Sequence, residues 1–316
     1  GPIYTWGTIG GRTDFYMWKP VFLDYSYNFA VRNFRHGSFG NITKIDNTRQ
    51  VKNSESFFSV AAGMPLAHRG VFLIRANGGH VNYRYDSDEL FADDTDHSRY
   101  SFFGIKAELA RNTLDKFLYP RRGSDLKLSG IFVTGRDKYE PFDAEKFLSR
   151  TSRQWVGARL TWDKYFDMPG CSWFSLGLNV DGVITNHPEF TTEGATVMSM
   201  PAYEPVPHAQ MIYMPDFRGK RFAAGGVMPT FDLMPNFFLR TGFYAMFREK
   251  RSFVPGVSGP VEDKRWHYIA EASLVYHTPI GPVSLALTKY DLRNWKNMYL
   301  TFNFGYAIFA PKGTFY

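Results

Sequence analysis

The sequence predicts an all-β protein, a transmembrane antiparallel β-barrel whose apolar faces meet lipid while its charged faces line a wet interior. Three observations carry the prediction. Phe, Tyr and Trp make up 18% of the 316 residues, Phe alone numbering 30, yet mean hydropathy is negative, because the aromatics alternate with Asp, Arg, Asn and Ser. That alternation has period two, the spacing at which successive side chains of a strand point to opposite faces. The intervals between alternating segments are in turn short and long, as in a barrel with tight turns at one rim and long loops at the other.

A first strand lies near Ile3–Tyr16. In "VFLDYSYNFAVR", Val21, Leu23, Tyr25, Tyr27, Phe29 and Val31 oppose Asp24, Ser26, Asn28 and Arg32. In "FFGIKAELAR", Ile105, Ala107 and Leu109 oppose Lys106 and Glu108. Further on, Phe174, Leu176, Leu178 and Val180 oppose Ser175, Asn179 and Asp181, and Tyr268, Ala270, Ala272, Leu274 and Tyr276 oppose Glu271 and Ser273. The clearest pattern, "MYLTFNFGYAIF" at 298–309, exceeds the usual strand of about five or six residues and meets the ~9–11 a tilted strand needs to cross a bilayer. A sandwich would bury one face in a dry core. Charges recurring on the same face favour a lumen, and closure satisfies every backbone N–H and C=O in lipid.

Read backwards, the connections are 291–297, 278–282, 249–264, 234–236, 187–220, 167–170 and roughly 136–150, long and short by turns, with the acidic 86–97 in phase as another long loop. The count is 13 strands. A closed barrel of this type has an even number, so either strands are missing on the N-terminal side or some are merged between Arg32 and Ser56. Residues 1–316 form a single barrel domain on this reading.

No run approaches the ~18 apolar residues of a helical span. Cys171 is the single cysteine, excluding a disulfide framework or a cysteine-based zinc site. The net charge of +7 is spread without a basic block, which reads as a solvated surface and gives no nucleic-acid partner. No signal peptide opens the chain, and the initial Gly-Pro is expected to mark a mature chain or a fragment.

Three stretches together resemble the outer-membrane assembly-factor superfamily, the surface-antigen barrels of BamA, TamA and the two-partner secretion transporters. They are "SFFGIKAELARNTLDKFLYPRRGSDLKLSG" (101–130), with a turn motif at Asp115, Pro120 and Gly123; "FRG" (217–219), similar to the Val-Arg-Gly-Phe/Tyr signature of the family's sixth extracellular loop; and "GPVSLALTKYDL" followed by the last strand. The resemblance runs from about residue 100 to the end. It implies 16 strands, missing N-terminal strands, and a sixth loop folded into the lumen. It also implies a periplasmic domain absent from this chain, and an outer-membrane location in a Gram-negative-type envelope.

By the same resemblance Arg218 meets carboxylates on the inner wall, a role suited to a five-donor guanidinium fork. Gly219 permits a tight tip, and Asp232 on the next strand is the expected partner. A solvated loop arginine and an ordinary lumen carboxylate are the plain alternatives. The pattern departs from the family where Met246 stands near the site of a second carboxylate and Phe217 replaces an aliphatic. Gly305 would weaken pairing of the last strand, or provide packing space, and Phe309 would be the terminal aromatic assembly signal. The chain continues with "APKGTFY", leaving Phe309 and Tyr316 as rival signals. "YMPDFRGKRFAAGG" and "FGYAIFAPKG" look most like barrels attached to a patatin-like phospholipase domain, which would lie upstream.

No catalytic motif stands in the chain itself. "GVSGP" (256–260) lacks the spacing of a nucleophile elbow, there is no His-Glu-x-x-His, and the eight histidines are scattered. Asp86, Asp88, Glu89, Asp93, Asp94 and Asp96 offer oxygen ligands but not the order of a calcium loop, so neither metal nor cofactor is expected. The function implied is protein insertion or translocation, or membrane anchoring of a phospholipase. A diffusion porin and an envelope lipid hydrolase are the alternatives. Expected partners are outer-membrane lipid including lipopolysaccharide, protein clients and accessory subunits.

Overall fold

The computed structural model describes residues 3–16, 20–35, 50–86, 95–140, 149–171, 173–191, 193–206, 209, 214–249, 265–290, 298–305 and 312–314. Thirteen antiparallel strands form one sheet, each paired with its sequence neighbour. They are β1 (Ile3–Tyr16), β2 (Pro20–Arg35), β3 (Gln50–Leu66), β4 (Gly70–Asp86), β5 (Thr95–Asn112), β6 (Gly123–Glu140), β7 (Ser149–Asp167), β8 (Phe174–Thr185), β9 (Arg221–Met234), β10 (Phe237–Arg248), β11 (Trp266–Thr278), β12 (Gly281–Tyr290) and β13 (Met298–Phe304). A short helix, α1 (Glu193–Ser199), lies in the β8–β9 connection. None of the described helices is long and apolar enough to cross a membrane.

The alternation decides which way each strand faces. On β2, Tyr25, Tyr27 and Phe29 point outward and are exposed, while Asn28, Ala30 and Arg32 are buried on the inner face. On β11 and β12, Leu274 and Leu285 are exposed and hydrogen-bond register places them opposite each other, with Glu271, Ser273 and Thr288 inside. Phe302 and Phe304 of β13 are 69% and 62% exposed. Such a face can be stable only against hydrocarbon or another apolar body, given that large exposed apolar patches are rare on soluble monomers.

The sheet curls into a barrel wall. Tyr119, between β5 and β6, packs against Phe238 of β10 and Val275 of β11, which a flat sheet could not bring together. Among the described residues β1 and β13 do not pair, so the two edges of the wall stay apart and the odd strand count stands.

The interior is not lined by charges alone: Phe57, Tyr83, Tyr100, Val133, Trp155 and Met246 are buried there in one apolar cluster with residues of the β8–β9 connection. The strands also outrun the alternating pattern. β7 has 19 residues, roughly 60 Å at ~3.3 Å per residue, against a hydrocarbon core of ~30 Å. Beyond the lipid the outer face turns polar, so the hydrophobic signal fades while the hydrogen-bond ladder continues, as in Arg136↔Ser152 and Lys138↔Arg150. The last strand differs the other way. β13 ends at Phe304, and Gly305 follows with φ of +79°; residues 306–309 of the predicted strand lie outside the described residues.

Candidate functional site: the loop that fills the barrel

The described residues between Asn186 and Lys220 leave β8 and turn inward. Asn186 begins the descent: its N–H donates to Val156 O at 3.2 Å, and its Oδ1 accepts from Val156 N at 2.7 Å. His187 then lies between Trp155 and Phe190, ring centroids 4.5 and 5.5 Å away. Burial pulls this histidine down to about 3, so it is a neutral packing ring at any physiological pH. Asp137 of β6 accepts from both the N–H and the hydroxyl of Thr191 at 2.9 Å, and α1 follows.

The deep end is a small hairpin. Tyr203 N donates to Phe217 O (2.9 Å), Gly219 N donates to Pro201 O (3.1 Å), and Ala202 bridges Arg218. Apolar residues on both arms, including Met198, Tyr203, Met214 and Phe217, join the interior cluster. Phe217 meets His267 and Tyr290 of the wall edge-on, at 5.6 and 6.2 Å. An aromatic stands at that position because the wall opposite supplies rings.

Arg218 is turned toward its own loop. Its Nη1 donates to Met198 O (2.8 Å) and Met200 O (3.3 Å), at the C-terminal end of α1. There, carbonyls left without helical partners favour a cation. Glu204 lies 3.9 Å from Nη2, and the two side chains are 11% and 13% exposed. The solvated-arginine alternative is therefore overturned, and so is the expected pair with Asp232. Asp232 accepts from Arg121 of the β5–β6 turn at 2.5 Å, at the opposite rim from the hairpin. Gly219 does not need to be glycine for its backbone: a Cβ there would meet only ordinary contacts, the nearest at 3.5 Å.

The loop is tied to the wall by a residue the sequence reading passed over. Arg159 of β7 forks onto Asp181 of β8 (Nε to Oδ1 3.1 Å, Nη2 to Oδ2 2.6 Å) and donates from Nη2 to Ala202 O in the hairpin at 3.1 Å. The arrangement inverts the expected one, with the arginine on the wall and the acceptor in the loop. Tyr203 adds a second tie, its hydroxyl donating to Asn179 Oδ1 at 2.7 Å. The alternating pattern had placed Asp181 on the inner face, but nothing in one strand says which residue of the next it meets.

At the other rim lies the turn between β5 and β6. Asp115 accepts from the N–H groups of Arg121 (3.0 Å) and Arg122 (3.2 Å), folding the turn back on itself. Pro120 is buried, and Gly123 has φ of +100° with a would-be Cβ 2.2 Å from Thr113 O. The motif thus presents Tyr119, held at φ of 53°, across the barrel mouth, where its hydroxyl donates to Ser284 Oγ of β12 at 3.0 Å. Gly305 closes the β12–β13 ladder, its N–H donating to Pro282 O at 2.9 Å. Phe309, Tyr316 and the centre of the acidic stretch (87–94) lie outside the described residues. Among the described residues no three His, Cys, Asp or Glu side chains cluster as metal ligands.

Replacing Arg218 by Ala removes two charge-assisted hydrogen bonds and leaves the α1 carbonyls unpaired. The folded barrel is expected to lose about 1.5–3 kcal/mol, read as a lower denaturant midpoint; Arg218→Lys should recover only part, lacking the fork.

No protein-family model and no curated protein matches this sequence. Among solved structures, the fold is similar to that in the crystal structure of BamA from Haemophilus ducreyi lacking POTRA domains 1-3. The TM-score is 0.59 at 12% identity, covering 95% of this chain. The chain spans 60% of that chain's length. The fold is that of a BamA-type β-barrel.

Proposed function

We propose that this chain is an outer-membrane barrel of the assembly type, which acts in inserting or translocating protein and keeps its interior sealed at rest. The observation that carries the reading is the β8–β9 hairpin: it fills the barrel with apolar residues and is fastened to the wall by Arg159 and Tyr203. A channel for small solutes needs an open polar lumen, and this interior is packed from one rim by the hairpin and from the other by Tyr119. The exposed outer face supports placement in a membrane. An interior occupied by packed side chains supports a role in which passage is an event and not a resting state.

The anchor reading, in which the barrel holds a phospholipase domain, draws on the same occupied interior. It adds the requirement of a hydrolase on the same polypeptide, which lipid hydrolysis by the longer protein would establish. Both readings predict the same electrical behaviour. Purified barrel in planar bilayers should show no large steady ohmic conductance, and excision of residues 188–217 should create one. A large resting conductance in the intact protein would restore the porin.

A further inference from the structure

We propose that residues 312–314 form an internal strap that holds the β8–β9 hairpin against the inner wall of β3–β5 and must let go before the interior can open. The inference rests on the sealed-barrel reading above and goes beyond it by naming what fastens the seal.

β13 ends at Phe304, and beyond it Lys312 and Gly313 lie inside, between the hairpin and the wall of β3 and β4. Lys312 Nζ donates to both carboxylate oxygens of Glu204 in the hairpin, at 3.0 and 3.1 Å. Gly313 is then pinned through its backbone: its N–H donates to Glu55 Oε2 of β3 at 3.1 Å, and its carbonyl accepts from Asn77 Nδ2 of β4 at 2.9 Å. Glu55 is itself held by Arg32 of β2 at 2.5 Å, both side chains being almost wholly buried. The β8–β9 hairpin and the β3–β4 wall, distant in sequence, therefore meet at two consecutive residues.

The fit is close. A Cβ on Gly313 would lie 2.6 Å from the Phe102 ring and 2.9 Å from that of Phe57, so a larger residue would have to push these rings aside. Thr314 beyond it is 7% exposed. The cavity left between strap, hairpin and wall measures about 30 Å³ and is lined by Arg32, Glu55, Glu204, Arg218 and Lys312, room for about one water. Burial lowers Lys312 to about 8, against the pull of Glu204. Burial opposes ionisation of Glu204 as well, but Lys312 and Arg218 together hold it below its usual value. Both groups are charged at neutral pH, and each compensates the other in a largely buried site. Breaking one half of such a pair strands a charge.

The test places a cysteine at the strap, Thr314→Cys, in a Cys171→Ser background, and measures labelling by a membrane-impermeant maleimide. Folding is monitored by heat-modifiable mobility. In folded barrel the thiol should be protected. Lys312→Glu, which sets two carboxylates together, should raise the labelling rate about tenfold or more by local opening, and the reversed pair Glu204→Lys with Lys312→Glu should restore protection. If the charge reversal prevents folding, Lys312→Met gives the same comparison with a smaller rise. Rapid labelling of the folded parent, or no change in either variant, overturns the strap. Parallel conductance separates the two readings: protection in a barrel that conducts at rest removes the sealed-barrel reading and leaves the strap contact standing, whereas rapid labelling of a sealed barrel removes the strap alone.

Discussion

Arg159→Ala is expected to destabilise the barrel by about 3–5 kcal/mol, because it leaves Asp181 as an uncompensated charge in the interior. Asp181 is 6% exposed on its side chain and loses both arms of its guanidinium fork at once. The same substitution removes the donor to Ala202 O, so the hairpin is loosened as well as the wall. Two measurements divide the effects. Denaturant midpoints in detergent report the wall, and protease sensitivity within 186–220 reports the hairpin. The double variant Arg159→Met with Asp181→Leu replaces the pair by apolar groups and should recover much of the wall stability but not the hairpin contact. A single variant that melts like the parent would mean that Asp181 is not held by this arginine.

Tyr119→Ala is expected to cost about 3–5 kcal/mol, the range for removing a large buried ring. Tyr119 is 7% exposed, and its ring packs on Phe238 at 6.1 Å in an edge-on arrangement. The backbone at Tyr119 sits in the left-handed region, which non-glycine residues occupy at a cost. The ring's contacts are what hold it there, so their removal should free the whole turn. Tyr119→Phe should lose only the bond to Ser284, about 1 kcal/mol. Protease cleavage within 113–122 should rise in the alanine variant and stay near parental in phenylalanine. Equal cleavage in both would assign the anchoring to the hydroxyl alone.

Much of the wall could be read from the chain. Turns at 234–236 and 278–282 and the loop at 291–297 fall where the alternation stops, and the observed strands begin or end within a few residues of each. The inner position of Asp181, Glu271 and Ser273 follows from counting by two along a single strand. What failed was partner choice. Arg218 and Asp232 are both in the family-like region, yet they stand at opposite rims. Arg218 caps the helix beside it in the same loop, while Asp232 takes an arginine from a turn more than a hundred residues earlier in the chain. Arg159 carried no motif, and its importance comes from what the hairpin brings to it.

The sequence by itself determined the class of fold, the strand polarity and which face of each strand turns outward, because those depend on period-two spacing and on turns that a local stretch of chain specifies. Only the tertiary structure decided that the interior is packed, that the loop's arginine serves its own hairpin, and that the C-terminal segment reaches Glu55 and Glu204. Those contacts join residues far apart in the chain. A buried charge finds its counter-charge through the geometry of the curled wall, which no periodicity along one strand records.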